Sequence, residues 1–302
     1  MALLDRAIVR VLPAVPRRVV KRLSSRYIAG PELADACHVV RRLNEGGKLA
    51  TIDVLGEEIT RPEQATALLE EYEEVFDAIE REGLDSNVSV KLTGLGLKLD
   101  RDLCRDNLAT LVRWAAERGN FVRIDMEDSS TTSETLAIYR ELREDGLDNV
   151  GVVLQAYMRR TLDDVASLAD LGPSVRVCKG IYVEPPEVAY QGSETVRFNF
   201  AEAVEALFST GASVAVATHD EWVIAEALKL VEEREVPAER YEFQMLLGVR
   251  EELGDELVRE GHRLRIYVPF GRQWYEYSLR RLQENPKIAG YVALDTLKRL
   301  RP

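Results

Sequence analysis

Short runs of alternating apolar residues recur along the chain, and each is followed by a longer stretch with helical periodicity. The strand-like runs are ATIDVLG (50–56), NVSVKLT (87–93), FVRIDME (121–127), VGVVLQAY (150–157), SVRVCKG (174–180), SVAVATH (213–219), YEFQML (241–246) and LRIYVPF (264–270). They are rich in Val, Ile and aromatic residues and show the period of two expected of strands. Between them lie patterns such as EQATALLEEYEEVFDAIEREG (63–83), FNFAEAVEALFSTG (198–211) and EWVIAEALKLVEEREV (221–236), several ending at glycine as helices commonly do. Eight strands alternating with eight helices predict an α/β fold: a (βα)8 TIM-type barrel rather than an open doubly wound sheet. Residues 1–48 are expected to form an N-terminal helical arm before the first strand. Residues 49–302 are expected to form the barrel domain, with no internal linker dividing them.

The last helix of the barrel reads RQWYEYSLRRLQEN and follows the eighth strand directly, so its first turns begin at the C-terminal end of the barrel. At helical spacing Tyr277, Arg280, Arg281 and Glu284 share one face, with Tyr275, Leu279 and Leu282 opposite. Alone, this is a surface helix with its polar side in water. Over the mouth of a barrel it becomes a lid bearing two cations.

Active sites of such barrels sit at the C-terminal ends of the strands. Here those ends carry Asp53, Lys91, Asp125 with Glu127, Gln155, Arg176 with Lys179, Thr218 with His219, Gln244 and Tyr267. Together they predict a polar mouth of mixed charge. Strand parity places Arg123, Asp125 and Glu127 on one side, and Ser89, Lys91 and Thr93 likewise; Arg176 and Lys179 cannot both face inward, so one belongs to the loop beginning at Gly180. Lys91 with Arg280 and Arg281 would form a three-cation cluster able to orient a carboxylate or phosphate.

The net charge of -12 over 302 residues leaves no basic surplus for bulk nucleic-acid binding. Three cysteines without a CxxC pair and three scattered histidines give neither a disulfide framework nor a metal site, and no metal is expected. The first 28 residues carry seven Arg and Lys against one acid. No apolar run there reaches the roughly 18 residues of a membrane span. A helical arm packed on the barrel, a transit-like segment and a basic surface that touches membrane peripherally all fit this composition. A cytoplasmic protein, peripheral at the inner face of the membrane, is the expected location. GLGLKL (94–99) lacks the third glycine of a dinucleotide fingerprint and is discounted.

The strand-end segments SVKLTGLGL, RIDMEDS, GVVLQAY, VRVCKGIY, VATHD, EFQMLLGVR and IYVPFGRQWYEYSLRRLQEN, in this order, resemble the proline dehydrogenase family over roughly residues 50–290. The resemblance is to the small monofunctional bacterial form. It implies FAD held noncovalently over the strand ends, oxidation of L-proline to 1-pyrroline-5-carboxylate by hydride transfer to flavin N5, and a quinone as electron acceptor. It also implies that Lys91, Arg280 and Arg281 bind the substrate carboxylate, that Tyr267 and Tyr277 wall its ring, and that Glu284 tethers an arginine. Asp125 and Arg176 match the family's catalytic positions. Met126, Gln155, Arg176, Lys179, Gly180, Ile181, Thr218 and His219 match positions that contact FAD. Ile181 departs from the alanine usual there. Two other classes remain open from the residues alone: a Schiff-base aldolase-type lyase using Lys91 or Lys179, and a non-catalytic sensor of an anionic metabolite.

Overall fold

The computed structural model describes residues 26–57, 59–275 and 278. Helix α1 (Leu33–Glu45) leads into strand β1 (Leu49–Val54), followed by α2 (Pro62–Glu82), β2 (Ser86–Lys91), α3 (Arg101–Glu117), β3 (Val122–Asp125), α4 (Ser129–Glu144) and β4 (Val150–Gln155). The chain continues through α5 (Thr161–Leu168), β5 (Ser174–Cys178), α6 (Ser193–Ser209), β6 (Ser213–Ala217), α7 (Glu221–Glu233), β7 (Tyr241–Leu246), α8 (Glu251–Arg259) and β8 (Leu264–Phe270). The eight strands are parallel and close into a barrel in sequence order, with β8 beside β1. Helix α1 packs against both β8 and β1. It thereby covers the flank that a regular barrel gives to the helix after β8.

Alternation along each strand divides the sheet into two chemically different faces. Ile52, Val88, Val90, Ile124, Val152, Val175, Val177, Val216, Phe243 and Val268 are fully or almost fully buried in the apolar core. The surrounding helices supply its other half through Tyr72, Phe76, Leu108, Leu111, Ile138, Tyr139 and Phe200. On the other face stand Asp53, Ser89, Asp125, Arg176, Gln244 and Tyr267. Arg176 on β5 donates to Ser89 on β2, Asp125 on β3 and Gln244 on β7, a span open to it only through the barrel interior. Barrel interiors are usually packed with branched aliphatic side chains. This one is filled by hydrogen-bonded and ionised groups.

The lower end of the interior is closed by Glu242, which accepts from Arg265 Nε at 2.8 Å, and by Arg123, whose Nη1 donates to the Ser174 carbonyl at 2.7 Å. Gly151 makes room for Arg123, since a Cβ there would lie 2.4 Å from Arg123 Nη1. The strands end earlier than the apolar pattern suggests. Met126, Glu127, Thr218 and His219 therefore belong to the loops above the barrel.

Candidate active site

The centre of the mouth is built on register. Asp53 pairs in register with Ser89 across β1 and β2, and Lys91 with Asp125 across β2 and β3, so the four side chains stand in one neighbourhood. Lys91 Nζ reaches Asp53 Oδ1 at 3.1 Å and Oδ2 at 3.3 Å, Asp125 Oδ2 at 3.5 Å and the Tyr267 hydroxyl at 3.3 Å. Asp125 accepts from Arg176 Nη1 at 2.6 Å, from the Tyr267 hydroxyl at 2.6 Å and from Ser89 Oγ at 3.1 Å. The Arg176 guanidinium also lies over the Tyr267 ring, 5.4 Å from its centre.

This network separates the two aspartates. Burial pushes the Asp53 carboxyl up to about 6, opposed by Lys91 and reinforced by the charge of Asp125. Burial acts on Asp125 in the same direction, but Arg176, Lys91 and the Tyr267 and Ser89 hydrogen bonds together hold it below the ordinary carboxylate range. Lys91 would be lowered by burial, yet Asp53, Tyr267 and Asp125 raise it well above the usual lysine value, so its ammonium is permanent. Glu127 is raised by burial and accepts from the Thr93 amide at 3.0 Å and hydroxyl at 2.5 Å, which fixes the loop after β2.

Above these groups lies a cavity of about 260 Å³, lined by Met126, Gln155, Arg176, Gly180, Ile181, Thr218, His219 and Tyr267 among others. All the cofactor positions expected from sequence border it, Lys179 included. It adjoins a cleft of about 960 Å³ over the start of α7, where Lys179, Arg197 and Arg250 converge with Trp222. Asp220 organises this cleft. It caps α7 through the Trp222 amide, accepts from Lys179 Nζ, and accepts from Arg197 Nε at 2.6 Å. Burial would raise its carboxyl, but these two cations and their hydrogen bonds pull it down to about 2.

His219 joins the two spaces. Its Nε2 accepts the Leu246 amide at 3.0 Å, which assigns the ring proton to Nδ1. Burial, Arg250 and Lys179 push the imidazole down to about 4, so it stays neutral. Gly180 has φ +100, and a Cβ there would sit 2.1 Å from the Tyr157 ring. Only glycine lets the chain leave β5 along this path.

Arg176 faces inward from β5, and Lys179 lies beyond the strand, at the loop that begins at Gly180. Tyr277, Arg280, Arg281 and Glu284 lie outside the described residues, as does most of the basic arm. Arg197, Asp220 and Arg250 were not among the sequence candidates. Asp220 could have been found as an N-cap before the apolar pattern of α7. Arg197 and Arg250 carry no signal of their own.

The arrangement offers a permanent ammonium at the floor, a partly apolar cavity above it and, beside that, a cleft in which Lys179, Arg197 and Arg250 stand against the carboxylates of Asp220 and Glu221. The ammonium suits a small carboxylate at the floor, with room for a larger, partly apolar ligand above it. Comparison with known proteins identifies the family. The family model "Proline dehydrogenase" matches residues 36–293. "Proline dehydrogenase 1" of Bacillus subtilis (strain 168) is 38% identical over 274 residues, covering 91% of this chain and 90% of that protein. The "Proline dehydrogenase" of Deinococcus radiodurans is 37% identical over 286 residues, covering 93% and 92%. The crystal structure of proline utilization A (PutA) from Bdellovibrio bacteriovorus, inactivated by N-propargylglycine, superposes with a TM-score of 0.83 at 24% identity, over 91% of this chain and 36% of that one. That likeness is one of fold, and this chain spans about a third of the larger protein. With model and relatives both spanning nearly the whole chain, this protein belongs to the proline dehydrogenase family.

Proposed function

We propose that this protein oxidises L-proline to 1-pyrroline-5-carboxylate with FAD as its bound cofactor, the first step of proline catabolism. The observation that carries the reading is the Lys91, Asp53, Asp125, Arg176 and Tyr267 network beneath the mouth cavity. FAD suits the donor set: the cavity bounded by Met126, Gln155, Gly180, Ile181, Thr218 and His219 matches a planar ring, and Lys179, Arg197 and Arg250 match a pyrophosphate. When bound, the flavin supplies the hydride acceptor.

The chain's own part is placement and electrostatics. The Lys91 ammonium binds the substrate carboxylate, joined in this proposal by Arg280 and Arg281, and so fixes where the ring stands. Tyr267, held by Asp125 at 2.6 Å, forms one wall of that ring site; Tyr277 forms another, and Glu284 tethers an arginine. Asp125 stays ionised and keeps Arg176 aimed into the interior. Oxidation at the carbon beside nitrogen needs the amine lone pair, so the substrate nitrogen must lose its proton before hydride departs.

The permanent ammonium of Lys91 and the ion pair of Lys179 with Asp220 disfavour the lyase alternative, because a Schiff-base nucleophile must be an unprotonated amine. Electrons pass on to a quinone in this reading, and the basic segment of residues 6–26 touches anionic lipid from the cytoplasmic side. No helix among the described residues is long and apolar enough to cross a membrane. Turnover of proline with an artificial electron acceptor, with the product identified by mass spectrometry, tests the assignment. Borohydride trapping of a protein-bound carbonyl compound in place of that product would establish the lyase instead.

A further inference from the structure

The loop that leaves β5 forms a short arch beside the mouth cavity, and both of its feet stand on the loop after β4. At one foot the Cys178 and Lys179 carbonyls accept the Ala156 and Tyr157 amides at 2.7 and 2.9 Å. At the other, the Tyr190 amide donates to the Tyr157 carbonyl at 2.7 Å, and Arg159 donates from its amide to Val188 and from Nε to Pro186. Between the feet run Ile181, Tyr182 and Val183. Ile181 and Tyr182 line the cavity together with Lys91, Arg176 and Tyr267. Burial and the charge of Glu127 push the Tyr182 hydroxyl up, in keeping with a ring turned into the mouth. Ile181 is 37% exposed and Val183 fully so, and apolar burial therefore does little to hold this span.

The arch is tied instead to a different wall of the cavity. Glu184, the next residue, accepts from the Ser129 amide and from Ser129 Oγ, both at 2.7 Å. Ser129 is the first residue of α4, so the carboxylate also meets the positive end of that helix. Helix α4 starts directly after the loop that carries Met126, another cavity residue. One side chain thus couples two walls that lie 55 residues apart in sequence. We propose that Glu184 is a positioning residue for cofactor and substrate: through Ser129 it holds the Ile181–Val183 span in place against the mouth cavity. This rests on the reading above that the cavity holds FAD with proline beneath it. An element that is in place for only a fraction of the time weakens apparent binding by that fraction. Losing charge-assisted hydrogen bonds should therefore weaken the binding of both ligands by about tenfold, while kcat at saturation stays, because bound ligands restore the arch.

The test uses the FAD-loaded protein. FAD release after dilution is followed through the recovery of free-flavin fluorescence, and turnover with an artificial electron acceptor in excess FAD gives KM and kcat for proline. Glu184→Ala is expected to release FAD about tenfold faster and to raise KM about tenfold, with kcat within about twofold of wild type. Glu184→Gln keeps an acceptor for the Ser129 amide, and Ser129→Ala keeps the amide itself, so both should fall between Glu184→Ala and wild type. Glu187→Ala removes an exposed acid of the same loop and should match wild type. FAD release by Glu184→Ala at the wild-type rate overturns the proposal. So does a loss of thermal stability or of kcat with FAD release and KM unchanged, which is what a merely structural or a chemical role would give. If Glu184→Ala fails to fold, wild-type release by both Glu184→Gln and Ser129→Ala has the same force. FAD release reports on the arch whatever the substrate, so a protein that holds FAD yet leaves proline unoxidised refutes the proline reading alone.

Discussion

Replacing Lys91 by Met is expected to cost stability in a way that depends on pH and is reversed by a second substitution. In the native protein the ammonium lies 3.1 Å from Asp53 Oδ1, with side-chain exposures of 14% and 1%. At an effective dielectric constant near 20 the direct attraction over that distance is about 5 kcal/mol. Removing one member of a buried pair typically costs about 3–5 kcal/mol, because the other charge is left uncompensated. Without Lys91 the main influence lowering Asp53 is gone, and burial then drives its carboxyl above the value of about 6 that it has now. A carboxyl raised in the folded state favours folding when protonated, and that contribution is lost as pH rises through the folded value. Lys91→Met should therefore be destabilised by about 3 kcal/mol or more at pH 8 and by much less at pH 5. Lys91→Met with Asp53→Asn should recover most of the loss at pH 8. Urea unfolding at both pH values and equal FAD saturation measures all three. A loss independent of pH and untouched by Asp53→Asn would show that Lys91 stabilises by packing its stem, and the electrostatic reasoning would be refuted.

Asp125→Asn leaves Arg176 and Tyr267 without their shared carboxylate. It should lower kcat by about a hundredfold while the flavin spectrum persists; a change confined to KM would show that Asp125 serves binding only. Gly180→Ala forces an unfavourable backbone angle and a collision with the Tyr157 ring. It should yield protein that is unstable or loses flavin on dialysis, and normal retention would remove the steric argument. His219 is held below its ordinary range, so its stabilising contribution is present above the unfolded value of about 6.5 and is lost as pH falls towards about 4. His219→Gln should unfold with a shallower pH dependence between those limits, and an unchanged slope would argue against a buried neutral imidazole.

The barrel was legible because its strands carry two faces at once. The runs around Ile52, Val90 and Ile124 present aliphatic residues to the helices and polar ones to the interior, and both alternations share a period of two. Strand ends named most of the mouth for the same reason. Helix α6 was harder: it begins at Ser193, ahead of the apolar pattern starting at residue 198, because SETVR has no hydrophobic periodicity. Arg197 therefore reached the cleft unannounced. Asp53 was visible as a strand-end acid, but its pairing with Lys91 depends on neighbouring strands being in register, which spacing along one strand does not encode. Lys179 and Asp220 likewise meet only because β5 and β6 are neighbours. The paired arginines after β8 were read from helical spacing and family resemblance, and they remain part of the proposal.

An anaerobic titration of the purified protein with L-proline, followed through the visible absorbance of its bound flavin, tests the proposed function most directly. The expected result is a yellow protein whose absorbance near 450 nm bleaches to completion with saturable dependence on proline, as reduced flavin lacks that band. A colourless protein after FAD reconstitution, or a bound flavin that proline leaves unbleached, would contradict it.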